Sequence, residues 1–294
     1  PTLVAEERNL RKLINHRLPD LVKKLNSANT TSHSTDFWRL IILPWLIELA
    51  QRTWSSYRKL EKLRDIHGTR TLTVVVYGGD QEWKFTNTRD FFDTLLRDYQ
   101  FNWWLDSKVA SVISPNNWSL EPSKKMPLAS EPLDGNVQDR HTKWPRSILR
   151  SIKYRLGYSD IIGLRWSGLL LAVYTSILPK RASSSRWTEV SDWQPLEDFP
   201  QAFLRVFDDL IEKTMPENFT TGFADLCQNA RKLNYRSGRL RLGTLDFWND
   251  QEKVIAAHAV SAGEKRVICQ HGGEYGMFDY NMMANEMELK SSIF

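Results

Sequence analysis

Cysteine is almost missing from this sequence: Cys227 and Cys269 stand alone among 294 residues, and neither has another cysteine or a histidine at metal-ligand spacing. That excludes a disulfide framework and points to a reducing compartment, with the cytosol as the default. Long hydrophobic runs are missing too. The longest uncharged apolar run, Leu40 to Ile47, is eight residues bracketed by Arg39 and Glu48, whereas a membrane-crossing helix needs roughly 20. No basic-then-apolar leader follows Pro1, and the chain stops at Ser-Ser-Ile-Phe without a polar tail, so both ends read as cut from something longer. Charge of one sign is also scarce. Forty basic against 35 acidic side chains leave a formal +5, too mild a bias to argue for nucleic acid. The histidines His16, His33, His67, His141 and His258 are scattered without ligand spacing, so no metal site is expected. What remains is a globular composition, 41% hydrophobic and 26% charged, in a chain long enough for one large domain or two ordinary ones.

The apolar residues Leu10, Leu13, Ile14, Leu21, Val22 and Leu25 follow three-four spacing and predict an amphipathic helix that Pro19 kinks or restarts. The stretch from Ser32 opens with Ser/Thr/Asp capping residues and stays apolar on nearly every face to Trp54, which predicts a helix buried all round. Leu72 to Tyr77 is rich in β-branched residues and ends at Gly78-Gly79, a buried strand. Asn87 or Thr88 then caps a helix through Leu96, and another follows from Phe101 to Ile113. Five prolines between Ser114 and Pro145 predict a long loop. The basic stretch Arg146, Arg150, Lys153 and Arg155 reads first as a solvated helix face, with an anion site as the alternative. Beyond it come a strand from Gly168 to Tyr174, helices Leu196 to Lys213 and Gly222 to Leu233, a short strand Arg239 to Gly243, a helix Asp246 to Ala262, and a strand Arg266 to Cys269. Asp246 is the expected cap of that last helix. Strands alternating with helices predict an α/β class fold with a doubly wound, Rossmann-like parallel sheet behind a helical N-terminal region. The organisation expected is 1–113 for the helices and first strand, 114–145 for the loop, and 146–294 for the rest of the α/β domain.

In such folds ligands bind beyond the carboxyl ends of the strands. Gln270-His271-Gly272-Gly273-Glu274-Tyr275-Gly276 lies there, and its glycines can bring backbone N–H groups close to a phosphate or sugar. His271 can stabilise a leaving phosphate or carry a proton, and Gln270 and Tyr275 add specific polar contacts. The competing reading is a tight polar turn. The loop is neither a Walker A motif nor a dinucleotide G-x-G-x-x-G. Asp80 after Gly78-Gly79 shares the same kind of sheet edge, or simply sits in a turn; Glu286 and Glu288 face either a cleft or solvent. The twelve tryptophans fall mostly in apolar or helical contexts and read as core, not as sugar-stacking platforms.

Four stretches, STDFWRLIILPWLIELAQRTWSSYRKL, YTSILP, MPENFTTGFADL and DFWNDQEKVIAAHAVSAGEKRVICQHGGEYG, resemble in order and spacing a family of large bacterial surface-carbohydrate transferases. That family is related to the enzymes that build capsule and lipopolysaccharide from CMP-activated ulosonic acids such as Kdo. The resemblance implies the first, acceptor-side half of a GT-B type glycosyltransferase that needs no metal or other cofactor, with a donor half after the Ser291-Ser292 region. The partners it implies are a nucleotide sugar, most simply CMP-linked, and a glycan acceptor, with no nucleic acid; the implied location is cytoplasmic, at the cytoplasmic face of the inner membrane. It supports Gln270, His271, Gly272, Gly273, Tyr275 and Gly276 as substrate-contacting or catalytic positions and lends Glu274 no role. Two positions depart from the family pattern: Leu43 replaces a glycine, and Asn285-Glu286-Met287-Glu288 stands where an acidic, histidine-bearing run is expected.

Transfer from such a donor builds negative charge on the leaving phosphate and positive charge at the anomeric carbon. The expected division of labour gives the phosphate to His271 and the N–H groups of Gly272 and Gly273, and the acidic role to Asp80, Glu286 or Glu288. The rival class is a non-catalytic α/β domain that binds a glycan or a partner.

Overall fold

The computed structural model describes residues 3–124, 199–232, 241–243, 248–263 and 266–268 of the chain. The expected strand at Gly168 to Tyr174 and the basic stretch Arg146 to Arg155 lie outside the described residues. Among the described residues the architecture is mixed α/β, mostly helical, with two small two-stranded parallel sheets. No helix among the described residues is long and apolar enough to cross a membrane. The chain divides into two compact units.

The first unit holds, among the described residues, everything up to Ile47 and everything from Glu217 on. Helix α1 (Leu3–Asn29) is continuous through Pro19, so the predicted restart does not occur. Its Leu10, Leu13, Ile14, Leu18, Leu21 and Leu25 are all buried, and this apolar stripe outweighs the one lost N–H. Ser34 opens helix α2 (Thr35–His67): its hydroxyl accepts from the Phe37 N–H at 3.2 Å. From Phe37 to Ile47 nearly every side chain is buried, as an apolar helix without a polar face requires.

Pro44 lies inside α2 and deprives the Leu40 carbonyl of its helical donor while crowding that turn. The adjacent Ile41 carbonyl accepts from Lys253 Nζ at 2.8 Å. Lys253 is wholly buried, paired with Asp250 at 2.9 Å and set over the Phe219 ring at 5.3 Å. Asp250 in turn accepts from Asn218 Nδ2 at 2.9 Å. A buried ammonium is tolerated because its charge and its donors are spent on fixed partners.

Asp250 and Lys253 begin helix α7 (Asp250–Ser261), which links strands β3 (Arg241–Gly243) and β4 (Arg266–Ile268). The strands pair in parallel, Arg241 opposite Arg266 and Gly243 opposite Ile268, so β3, α7 and β4 form a βαβ unit. The cap of α7 is Asn249, which accepts from the Glu252 N–H; the helix starts too late for the expected cap, Asp246, which lies outside the described residues. Helix α6 (Phe223–Lys232) follows a single 3-10 turn and packs on α7.

In the second unit strand β1 (Leu72–Tyr77) falls where its β-branched run predicts. Helix α3 (Thr88–Arg97) is capped by the Asn87 side chain on the Asp90 N–H, and helix α4 (Tyr99–Ile113) by Asp98 on the Gln100 and Phe101 N–H groups. The chain then returns as strand β2 (Trp118–Ser123), parallel to β1, within the stretch read from sequence as a loop. Its prolines misled the sequence reading: Pro115 precedes the strand, and Pro122 occupies a sheet that is two-stranded among the described residues, with one side of each strand unpaired there. Phe85, Phe91, Phe101 and Trp104 pack edge-to-face and stacked beneath this crossover. Helix α5 (Gln201–Thr214) adds Phe203, whose ring meets Trp54 and Tyr57 of α2. Arg52 of α2 reaches Asp106 of α4 at 2.9 Å and Asn102 at 2.9 Å, tying the two helices together.

Candidate functional site

Of the residues singled out in the sequence, Asp80 is described and the glycine loop is not. Asp80 follows β1 at its carboxyl end, with its side chain 95% exposed and Lys124 Nζ at 3.6 Å. The glycines before it have a structural reason. Gly78 N–H donates to the Ser123 carbonyl at 2.8 Å, and a Cβ at Gly78 would stand 2.8 Å from Pro122 Cβ and 2.9 Å from Ser123 N. Gly78 therefore lets β2 approach the end of β1. Gln270, His271, Gly272, Gly273, Glu274, Tyr275, Gly276, Glu286 and Glu288 lie outside the described residues. In sequence, Gln270 comes two residues after the end of β4.

A constellation that sequence spacing does not reveal lies in the first unit. His33 occupies the connection between α1 and α2, fixed through its backbone: its N–H donates to Asn26 Oδ1 at 3.0 Å, and Asn26 Nδ2 donates to its carbonyl at 2.9 Å. Asn26 Oδ1 also accepts from Trp38 Nε1 at 2.8 Å, so one amide sets both the connection and the start of α2. The His33 ring lies flat on Phe37, centroids 3.8 Å apart at 14°, and meets the Phe223 ring edge-on. His258 of α7 stands 5.8 Å from His33 at 82° and 5.0 Å from Phe37. On α6, Phe223, Cys227 and Arg231 recur every four residues and so share one face.

Burial lowers the pKa of both imidazoles; for His258 the neighbouring His33 and the Arg231 guanidinium push the same way. Burial raises the Cys227 thiol, opposed by Arg231. Both rings are therefore neutral at pH 7, and the thiol is protonated. No three histidine, cysteine, aspartate or glutamate side chains among the described residues are arranged to hold a metal ion. The sequence offers only a faint sign of this cluster, histidines embedded in aromatic or alanine-rich segments, because the two rings meet only through tertiary packing.

Glu48 is the other residue that sequence reasoning passed over. It lies in α2 between the buried Ile47 and Leu49 and has no hydrogen-bond or ion-pair partner among the described residues. Burial raises its carboxyl from 4.5 to about 7. A carboxyl of this kind is still partly protonated near neutrality.

No curated protein and no solved structure matches the chain. A family model described as LIC12162 family transferase matches residues 2–293. That match covers nearly the whole chain, so the protein belongs to the LIC12162 family of transferases.

Proposed function

We propose that this chain is a metal-independent GT-B type glycosyltransferase or its acceptor-side half. It transfers an activated sugar, a CMP-linked ulosonic acid, to a bacterial surface polysaccharide at the cytoplasmic face of the inner membrane. The observation that carries this reading is the parallel β3–α7–β4 unit in a chain of a transferase family. The loop from Gln270 to Gly276 follows β4 in sequence, and parallel sheets bind ligands beyond the carboxyl ends of their strands. The doubly wound Rossmann-like sheet belongs to the same proposal, supported by the two parallel crossovers, β1 to β2 and β3 to β4.

In this mechanism the backbone N–H groups of Gly272 and Gly273, with His271, take up the charge that grows on the departing phosphate. Gln270, Tyr275 and Gly276 shape the same pocket. A carboxylate from Asp80, Glu286 or Glu288 stabilises the oxocarbenium-like carbon. Asp80 is exposed, so bound substrate would fix its position. The reaction needs no cofactor beyond the nucleotide sugar itself. His271→Ala tests the assignment by single-turnover transfer: a loss of about 10²- to 10⁴-fold is expected of a group that moves a proton. A loss under about tenfold overturns it.

A further inference from the structure

We infer that His33, His258 and Arg231 form a binding site for a phosphate-type anion, separate from the glycine loop and walled by Phe37 and Phe223. The inference stands on residues of the first unit alone and does not depend on the glycosyltransferase reading.

Three observations converge on it. The two imidazoles are 5.8 Å apart and nearly perpendicular, close enough for one ligand to reach both rings. Among the described residues none of the three side chains, the two rings and the Arg231 guanidinium, has a hydrogen-bond or ion-pair partner. Arg231 lies two turns beyond Phe223 on α6, and the Phe223 ring already touches His33 at 6.1 Å, which directs that helix face toward the pair.

The charges around the pair select the sign of the ligand. His258 is acted on by His33 from the α1–α2 connection and by Arg231 from α6. Cys227, also on α6, is a neutral thiol. On α2, Asp36 is half-buried beside Arg39, and Arg39 donates to Asn15 on α1. On α7 itself, Asp250 is paired with Lys253, two turns before His258. The fixed charge acting on His258 is thus that of Arg231, which is positive and favours an anion. An arriving phosphate group supplies acceptors to two ring N–H groups and to the guanidinium, and its charge draws a proton onto the imidazoles. Fixed, stacked rings lose little freedom on binding, which favours a compact anion over a flexible chain.

The test is an NMR titration of the imidazole C–H resonances of the whole chain with inorganic phosphate, with CMP, with sulfate and with Zn²⁺. Phosphate and CMP are expected to shift both His33 and His258; a larger effect of CMP identifies the phosphate as that of a nucleotide, and equal effects identify free phosphate. Sulfate keeps its charge across the range, so its affinity should rise as pH falls, by up to roughly tenfold per pH unit for each proton taken up. Arg231→Gln, a change at an exposed position, should weaken binding about ten- to hundredfold while leaving the His33 and His258 resonances dispersed as in the parent. Absence of any shift with the three anions, an Arg231→Gln affinity equal to the parent's, or a response to Zn²⁺ alone would each overturn the inference.

Discussion

Replacing Glu48 by glutamine should make the protein more stable at neutral pH, and the size of the gain should depend on pH in a defined way. Burial holds the folded carboxyl at about 7 against an ordinary 4.5, and the absence of a partner among the described residues leaves that cost unrelieved. Between these two values the folded protein keeps the proton that the unfolded chain has released, so stability falls as pH rises. At about 1.4 kcal/mol per pH unit, the gap from 4.5 to about 7 sets an upper limit of about 3.5 kcal/mol on the destabilisation, fully present only above pH 7. Glutamine has nearly the same shape and no charge to bury. Urea denaturation of parent and Glu48→Gln from about pH 5 to about pH 8 gives the difference directly. The account requires that difference to grow in favour of the variant up to about pH 7 and then level off. A difference that stays flat across the range would refute burial of an unpaired carboxyl as the cause.

Two further changes probe the packing that frames the candidate sites. Lys253→Ala removes the charged partner of the buried Asp250 carboxylate and frees the Ile41 carbonyl beside Pro44 from the ammonium; a loss of about 3–5 kcal/mol by urea denaturation is expected, and a loss under about 1 kcal/mol would contradict a fixed buried pair. Gly78→Ala drives a methyl group against Pro122 and Ser123 and should cost about 1–3 kcal/mol, read as a lowered melting temperature with the fold otherwise intact by circular dichroism.

Local signals in the sequence carried the helices and three of the strands because each rests on neighbouring residues. The run Leu72–Tyr77 is a strand as its β-branched side chains demand, and Asn87 caps α3 as its position before Thr88 suggests. What failed was local chemistry overruled by pairing. Proline at 115 and 122 reads as a loop, yet β1 supplies a partner that turns Trp118–Ser123 into a strand. Pro19 reads as a kink or a restart, yet the buried leucines on either side keep α1 continuous. The same limit applies to chemistry. The glycine loop announces itself by composition alone, whereas His33 and His258 become neighbours only when α7 packs against the start of α2. Lys253 lies in a polar Gln-Glu-Lys run, and only the fold shows that it is wholly buried. Glu48 reads as the polar end of an apolar run, and its raised pKa comes from neighbours that sequence order does not reveal.

The central claim is that this transferase uses a CMP-activated sugar without a metal ion. Calorimetric titration of the protein with a panel of CMP- and UDP-sugars, with and without EDTA, tests it most directly. The account predicts saturable binding of a CMP-sugar that EDTA leaves unchanged. A preference for UDP-sugars, or binding abolished by EDTA, would contradict it.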